Sequence, residues 1–318
     1  MDTLYRRIVG LDLPPLGPAF ATLEGTELAS ALVAHRITSK YYLGEEPPGL
    51  ADVCIQEMIL NDNLGPLSWN VMSTGDAMYD LIRAKHVLAR ILANFKLPPT
   101  CSRFPNGESC VTSDGETSLA AKLSQDTQWT CNTGSIEYAA RLCYNTPPLR
   151  KVVKDRFRAL YPFREFVDGV GGFEHFKRSF KMVCDISEAR ITTVPKNVTS
   201  RRVISMEPTF AMICQLAVSD GLRSCLQDAG YYIEQTQEKH RKMIADPAYV
   251  TIDLKNASNS NWSAVARGFW PSRVFNTLWK YRTCTFTYKS RNGDQYWSPR
   301  MLSPMGNGFT FEVMTLTW

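Results

Sequence analysis

Between residues 190 and 318, the order in which strand, helix and turn signals follow one another constrains the fold more than any other sequence feature. Two strand-like segments rich in cations lie at 190–206, and a helical pattern follows at 207–230. A short β-rich segment comes next at 249–254, and a hairpin pattern at 283–297 contains an Asn-Gly pair. A glycine-rich turn and a final apolar helix complete the series. This mixture of strands and helices predicts an α+β fold.

The chain before residue 190 is predicted to be mostly helical. Apolar residues recur at helical spacing over Thr74–Phe95, and a diproline follows them. Helical patterns also cover Glu27–Lys40 and Ser135–Tyr144. Residues 150–182 are predicted to be helical in pieces that glycines interrupt.

Positive charge is concentrated in one segment of the chain. Residues 150–202 contain 13 Lys and Arg against 6 Asp and Glu, whereas the rest of the chain contains 23 against 25. Aromatic residues such as Phe163, Phe173 and Phe180 interleave with these cations. This mixture suits RNA, which is a polyanion with stacking bases. A solvated amphipathic helix with a buried aromatic face would produce the same pattern, so both interpretations stay open.

The composition disfavours several classes of protein. Hydrophobic residues make up 44% of the 318 and charged residues 21%, which is typical of a globular chain and not of a disordered one. No apolar run approaches the roughly 18 residues of a membrane span, so no membrane association is expected. The nine cysteines include no C-x-x-C pair, and no two of the four histidines lie at ligand spacing, which disfavours a zinc site.

Asp253 is the first candidate for chemistry. It lies near the end of a buried β-rich segment, where its carboxylate would face the open edge of a sheet and could bind Mg²⁺ for phosphoryl transfer. Ser258 and Asn259 follow it, and their side chains could hydrogen-bond a sugar hydroxyl. An Asp that only caps the next helix is the alternative.

Two further segments could bind phosphate. Lys196, Arg201 and Arg202 lie on the predicted basic hairpin and could neutralise a triphosphate as pyrophosphate leaves. The Gly-Asn-Gly segment 306–308 opens the last helix, and its glycines would let a ligand approach the backbone closely. A solvated surface hairpin and an ordinary glycine turn are the respective alternatives.

Together these segments resemble a known family. The sequences VPKN, RRVISMEP, QTQEKHR, TIDLKNASNS and SPMGNGFTFE are similar to those of the replicase beta subunit of the leviviruses, the single-stranded RNA bacteriophages. The similarity is dense from about Thr192 to Thr315, and it is looser through FPNGESCVTSDGETS and WTCNTGSIEYAARLCY upstream. The order of the elements matches the fingers and palm of a right-hand polymerase.

The resemblance implies how metal and triphosphate would be bound. Asp253 corresponds to the first metal-binding aspartate, with Mg²⁺ as the implied cofactor. Lys196 and Arg202 correspond to the basic residues that bind the triphosphate, and Arg201 is expected to assist them.

The resemblance also implies how ribose and template would be recognised. Ser258 and Asn259 correspond to positions that sense the ribose 2′-hydroxyl of the incoming nucleotide, although the family often has an acid in place of Asn259. The glycine-rich motif, which is expected to support template and nucleotide, consists of Gly306, Asn307, Gly308 and Thr310.

The implied architecture is that of fingers and part of a palm. Residues 1–150 would form a mostly helical N-terminal fingers region, 151–230 a basic fingers region with the triphosphate-binding hairpin, and 231–318 the start of the catalytic palm with an incomplete antiparallel sheet. The sequence contains no Gly-Asp-Asp, the family motif that supplies the other metal-binding carboxylates, and no thumb is expected. We therefore interpret the chain as a C-terminally truncated polymerase that is inactive on its own.

The implied activity is RNA-dependent RNA polymerisation by two-metal nucleotidyl transfer, with ribonucleoside triphosphates and a single-stranded RNA template as substrates. The family implies host elongation factors Tu and Ts as partners and the bacterial cytoplasm as location. Three alternatives stay open: a non-catalytic RNA-binding protein derived from a polymerase, a reverse transcriptase, and a structural α+β domain. Small polar residues near Ser258, instead of a bulky aromatic, disfavour the reverse transcriptase.

Overall fold

A computed structural model describes most of the chain between residues 48 and 317. The described ranges are 48–65, 77–112, 115–164, 166, 172–197, 200–244, 246, 248–249, 256–290 and 293–317. The predicted helix Glu27–Lys40 lies outside them, and so does most of the β-rich segment, including Asp253. The chain divides into two compact units, one formed by Met1–Glu57 with Thr193–Val203 and the other by Met58–Thr192 with Ile204–Trp318. The three predicted regions (1–150, 151–230 and 231–318) stay a prediction.

Helices dominate the described residues. They are α1 (Leu50–Asn63), α2 (Ala77–Ile91), α3 (Leu119–Lys122), α4 (Ile136–Asn145), α5 (Pro147–Leu160), α6 (Gly172–Val183), α7 (Thr209–Asp228), α8 (Ile233–Ile244), α9 (Ser263–Phe269), α10 (Ser272–Tyr281) and α11 (Thr310–Thr317). A short 3-10 helix, Ala257–Ser260, is called the ASNS turn below. None of the helices that the structure describes is long and apolar enough to cross a membrane.

Several of the predicted helices are confirmed with shifted ends. The pattern at Ser135–Tyr144 becomes α4, and Pro147 begins α5 at once, because proline at the first helical position needs no N–H partner. Leu88 near the C-terminal end of α2 and Leu92 just after it are buried, whereas Met78 and Ile82 on the same predicted face are each 45% exposed. The apolar spacing of α2 therefore predicts the helix correctly but only part of its buried face.

The predicted basic hairpin and the hairpin around Asn-Gly belong to one sheet. Its strands are β3 (Ala189–Asn197), β4 (Ser200–Met206), β5 (Phe286–Ser290) and β6 (Gly293–Trp297), in the order β4-β3-β5-β6. The β5 and β6 strands pair antiparallel, but β3 and β5 pair parallel through Ala189 with Phe286. The helices α7 to α10, which the structure describes between β4 and β5, belong to the long connection that parallel strands need. The described sheet is thus mixed. Its two strands within 231–318, β5 and β6, pair antiparallel, and the antiparallel palm sheet that we predicted for this region stays a prediction.

Helix α7 is the centre of the second unit. It packs against α2, α4, α10, α11 and the short strand β1 (Thr130–Cys131), which pairs parallel with β2 (Asp185–Ile186). Its buried residues include Phe210, Ile213 and Leu222, each at most 1% exposed. The helix ends in a Schellman arrangement, because the Tyr231 amide donates to the Leu226 carbonyl and Gly230 adopts a φ of +86°.

The aromatic residues of the basic segment mostly form core, which favours the amphipathic interpretation for them. Phe176 and Phe180 on α6 are 2% and 0% exposed, and Phe173 lies under the Arg141 guanidinium at 4.6 Å. Phe163 is the exception and is fully exposed. Cations remain exposed on the same helices at Arg158, Arg178 and Lys181.

Candidate nucleotide and template site

The predicted metal ligand, Asp253, lies outside the described residues, so its place at a sheet edge stays a prediction. Within the described ranges, no group of three or more His, Cys, Asp or Glu side chains could hold a metal ion. The predicted magnesium site rests on Asp253, whose carboxylate oxygens are of the type that Mg²⁺ prefers, and it stays a prediction.

The basic hairpin presents two of its three predicted cations to solvent. Lys196 and Arg202 are exposed on β3 and β4. Arg201 instead bonds across the hairpin, where its Nε donates to Thr193 Oγ1 at 2.7 Å and its Nη2 donates to the Thr193 carbonyl at 2.9 Å. Successive side chains of a strand point to opposite faces, so Arg201 and Arg202 do not act from the same side. Lys196 and Arg202 are thus better placed than Arg201 for an external phosphate.

The ASNS turn holds both of the predicted ribose-sensing residues. Asn256 enters the turn with a φ of +59°, a left-handed conformation that Asn tolerates better than most residues. Its carbonyl accepts the Asn259 amide at 2.9 Å, and Ser258 is buried within the turn. The Asn259 side-chain oxygen Oδ1 is buried and has no hydrogen-bond partner among the described residues. A buried acceptor without a partner is costly, so a ligand hydroxyl there would be favoured.

The glycine-rich motif is packed against the end of β4 and against α7. Gly306 has a φ of +104°, and a Cβ on it would stand 2.2 Å from the Ser205 carbonyl oxygen, so only glycine fits. The Ser205 amide donates to the Met305 carbonyl at 2.7 Å. The Gly308 amide donates to Gln215 Oε1 on α7 at 3.0 Å. These contacts fix the backbone of the motif to the preceding basic strand and its helix.

The side chains of the motif are bonded within the protein. Asn307 is 6% exposed, and its Oδ1 accepts the Phe309 amide at 3.1 Å. Thr310 is also buried, and its hydroxyl donates to the Pro304 carbonyl at 2.7 Å. Helix α11, which Thr310 begins, packs on the ASNS turn. The motif and the ASNS turn are therefore neighbours, and their roles in binding template and ribose stay predictions.

Glu207 joins these segments, and sequence reasoning missed it as a site residue. It is 1% exposed between β4 and α7, and its carboxylate accepts the Ser205 hydroxyl at 3.1 Å, Gln215 Nε2 at 3.1 Å and the Thr283 hydroxyl. Burial raises the pKa of Glu207, and the hydrogen bonds from Thr283, Gln215 and Ser205 oppose the rise. The sequence shows only an acid before a proline, because the Thr283 hydroxyl that completes its set of donors lies far along the chain.

Comparison with known proteins agrees with the ordered motifs. A family model described as RNA replicase, beta-chain matches residues 71–318. The RNA-directed RNA polymerase beta chain of Enterobacteria phage GA is 32% identical over 127 residues, and that of Escherichia phage MS2 is 30% identical over 130. The RNA-directed RNA polymerase subunit beta of Escherichia virus Qbeta is 31% identical over 138 residues.

These matches cover only part of each protein. The aligned segments span 39%, 40% and 42% of this chain and 23% of each of the three relatives. The family match is longer and includes the basic hairpin, Glu207, the ASNS turn and the glycine-rich motif. Because it extends over well more than half of the 318 residues, this chain belongs to the RNA replicase beta-chain family.

Proposed function

We propose that this chain is the fingers and part of the palm of an RNA-dependent RNA polymerase that copies a single-stranded RNA template from ribonucleoside triphosphates. The observation that carries the proposal is the family match over residues 71–318, since the matched relatives are named RNA-directed RNA polymerases. The resemblance further implies elongation factors Tu and Ts as partners and the cytoplasm of a bacterial host as location.

In this proposal each candidate residue has a separate task. Lys196 and Arg202, which are exposed, neutralise the triphosphate, and the polar side chains of the ASNS turn contact the ribose. Asp253 is the proposed carboxylate ligand. Bound Mg²⁺ would supply charge neutralisation and activate a 3′-hydroxyl for in-line attack on the α-phosphorus. The motif Gly306–Thr310 holds the backbone on which template and nucleotide rest.

Asn259 gives the proposal support at atomic detail. Its buried Oδ1 lacks a partner within the described part of the chain, and it lies in the turn where the ribose contact is predicted. A ribose 2′-hydroxyl is a hydrogen-bond donor that a deoxyribose lacks. We therefore propose that Asn259 accepts a hydrogen bond from this hydroxyl, in place of the acid that the family often has.

Nucleotide binding tests this function directly. We expect the purified chain to bind GTP more tightly with MgCl₂ than without it, and Asp253→Asn to abolish the difference. Asp246→Asn is the matched control, because Asp246 is an exposed acid seven positions earlier. Equal magnesium dependence in Asp253→Asn and the unaltered chain would refute the metal role of Asp253.

Polymerisation by the isolated chain is a separate matter. Two-metal transfer needs several carboxylates, and the sequence contains no Gly-Asp-Asp, so we propose that these 318 residues alone bind RNA weakly and do not extend it. Incorporation of labelled GMP that Asp253→Ala abolishes would contradict this inactivity. RNA binding without any magnesium-dependent nucleotide binding would instead favour the alternative, a non-catalytic RNA-binding protein.

A further inference from the structure

A stretch of backbone that leads into the glycine-rich motif lies between two buried charges. The carboxylate of Asp62, near the end of α1, accepts the amides of Arg300 and Met301 at 2.6 Å each. The guanidinium of Arg282 donates to the carbonyls of Pro299 and Met301 at 3.2 and 2.6 Å. Asp62 is 0% and Arg282 6% exposed. Residues 299–301 are therefore bonded through both their amides and their carbonyls.

The same end of α1 contacts the ASNS turn. The side-chain amide of Asn61 donates to the Asn259 carbonyl at 3.0 Å. Gly65, just after α1, lies so close to the Trp262 ring that a Cβ there would stand 2.4 Å from the ring carbons. Asn61, Asp62 and Gly65 thus form a brace, called the α1 brace here, behind the turn.

Hydrogen bonds tie the two segments that the α1 brace contacts to each other. The Leu302 amide donates to the Asn261 carbonyl at 2.5 Å, and the Ser263 amide donates to the Arg300 carbonyl at 2.9 Å. The brace, the ASNS turn and residues 299–302 consequently form one bonded assembly. A substitution that removes a hydrogen bond of the α1 brace is expected to change the position of Asn259, because Asn61 donates directly to the Asn259 carbonyl.

The position of the α1 brace in the sequence makes it unexpected. Residues 61–65 precede the part of the chain that the family model matches, which begins at residue 71. A buried carboxylate such as Asp62 is costly unless hydrogen bonds satisfy it, so its two short bonds fix the geometry tightly. A site of this kind depends on supporting residues that hold the contacting groups in place.

We propose that Asn61 and Asp62 are positioning residues that hold the ASNS turn so that Asn259 can distinguish ribonucleotides from deoxyribonucleotides. The inference rests on the proposed function. Asn61 bonds the Asn259 carbonyl and Asn256 bonds its amide. The Asn259 side-chain oxygen, which has no partner among the residues that the structure describes, is therefore an acceptor on a fixed backbone. Discrimination would then depend on residues outside the matched family region.

The experiment compares affinities for GTP and 2′-deoxy-GTP in MgCl₂, measured by calorimetry on the full 318-residue chain. One hydrogen bond to the 2′-hydroxyl would make GTP bind about fivefold more tightly in the unaltered protein. We expect Asn61→Ala to bring the ratio of the two Kd values close to one while the Kd for 2′-deoxy-GTP stays unchanged. Asp62→Asn removes a charge and one acceptor. It should likewise lower the Kd for 2′-deoxy-GTP divided by the Kd for GTP.

Asn63→Ala is the matched control, because Asn63 is exposed on the same helical turn. The substitution raises helix propensity by the same amount as Asn61→Ala does. It should keep the ribose preference. A general loss of stability would weaken the binding of both nucleotides alike and leave the ratio of their Kd values unchanged. The ratio therefore separates a positioning role from a role in stability.

The possible failures are distinguishable. A parent protein that binds neither nucleotide, or both equally, overturns the proposed function and this inference with it. A parent with a clear ribose preference that survives in both Asn61→Ala and Asp62→Asn overturns the inference alone.

Discussion

At the scale of single residues, the notable groups are buried polar side chains that bond distant parts of the chain. Glu207 accepts hydrogen bonds from side chains on β4, on α7 and after α10. Lys122 is similar, since its buried ammonium group donates to the carbonyls of Pro105 and Thr117 at 2.8 Å each. A buried charge survives only with such partners, so each of these residues locks a specific arrangement.

The raised pKa of Glu207 gives stability a definite dependence on pH. The native state binds this proton more readily than the unfolded state does. Protonated Glu207 therefore contributes to the free energy of unfolding at pH values below the ordinary pKa of glutamic acid, near 4.5. This contribution is lost as the pH rises through the raised native pKa. The Ser205 and Thr283 hydroxyls can accept as well as donate, so they can bond the protonated acid.

We expect Glu207→Gln to remove this dependence. In urea unfolding followed by tryptophan fluorescence, the free energy of unfolding of the parent relative to Glu207→Gln should fall as pH rises from about 4.5 toward neutrality. Thr283→Val removes the largest opposing hydrogen bond, so it should move the fall to higher pH. Parallel stability curves for parent and Glu207→Gln would contradict the argument.

Individual site residues could be predicted from the sequence only where a motif identifies them. The cations Lys196 and Arg202 follow from the hairpin pattern and are both exposed, and their role in binding phosphate stays a prediction. Glu207, Asn61 and Asp62 carry no local signal, because what matters is the partner that the fold brings to each. Arg201 shows the opposite case, since its bonds to Thr193 could not be anticipated from a run of basic residues.

At the scale of elements, segments with a clear local signal were predicted well, and several other helices were missed. Helix α7 and the hairpin β5–β6 follow from clear apolar spacing and an Asn-Gly turn. Helices α1, α8, α9 and α10 were not predicted. The α8 segment is mostly polar, and α9 has only seven residues, so neither has a strong apolar period.

Because α7 is closely packed at Gly221, replacing this glycine by alanine should lower the free energy of unfolding, although helix propensity alone would raise it. Gly221→Ala would gain about 1 kcal/mol from propensity. However, its Cβ would stand 2.5 Å from the Lys96 carbonyl oxygen, and overpacking of this kind costs about 1–3 kcal/mol. We expect a net loss of about 1 kcal/mol in the free energy of unfolding by urea titration.

Ser224→Ala is the control for this substitution. Ser224 is exposed three residues later on the same helix, so its replacement should stabilise the protein by a few tenths of a kcal/mol. If Gly221→Ala also stabilised the protein, this result would contradict the close contact between the Lys96 carbonyl and α7.

At the scale of the whole molecule, charge distribution is the property most relevant to an RNA partner. The net charge is only +5, but residues 150–202 hold a large excess of cations. Within the described part of this segment, Arg158, Arg178 and Lys181 are exposed. Cations that contact phosphates release counterions, which makes binding depend on salt.

We expect the triple substitution Arg158→Gln, Arg178→Gln and Lys181→Gln to weaken binding of single-stranded RNA in a filter assay. If all three contact phosphates, the slope of log affinity against log salt should decrease in magnitude by about 2. The matched control replaces Arg83, Lys85 and Arg90 on α2 with Gln, which removes the same charge from exposed positions outside the segment. Equal losses from the two triple variants would show that only net charge matters.

The Glu207 network has a consequence for how the chain is made. Residues 205–215 leave the ribosome well before Thr283, so a growing chain holds this carboxylate with only some of its donors. Non-local contacts of this kind slow folding, since their loop-closure entropy must be overcome first. Translation that stops before Thr283 should therefore leave the centre of the second unit unfinished, and a nascent chain halted before residue 283 should be far more sensitive to protease than the 318-residue chain.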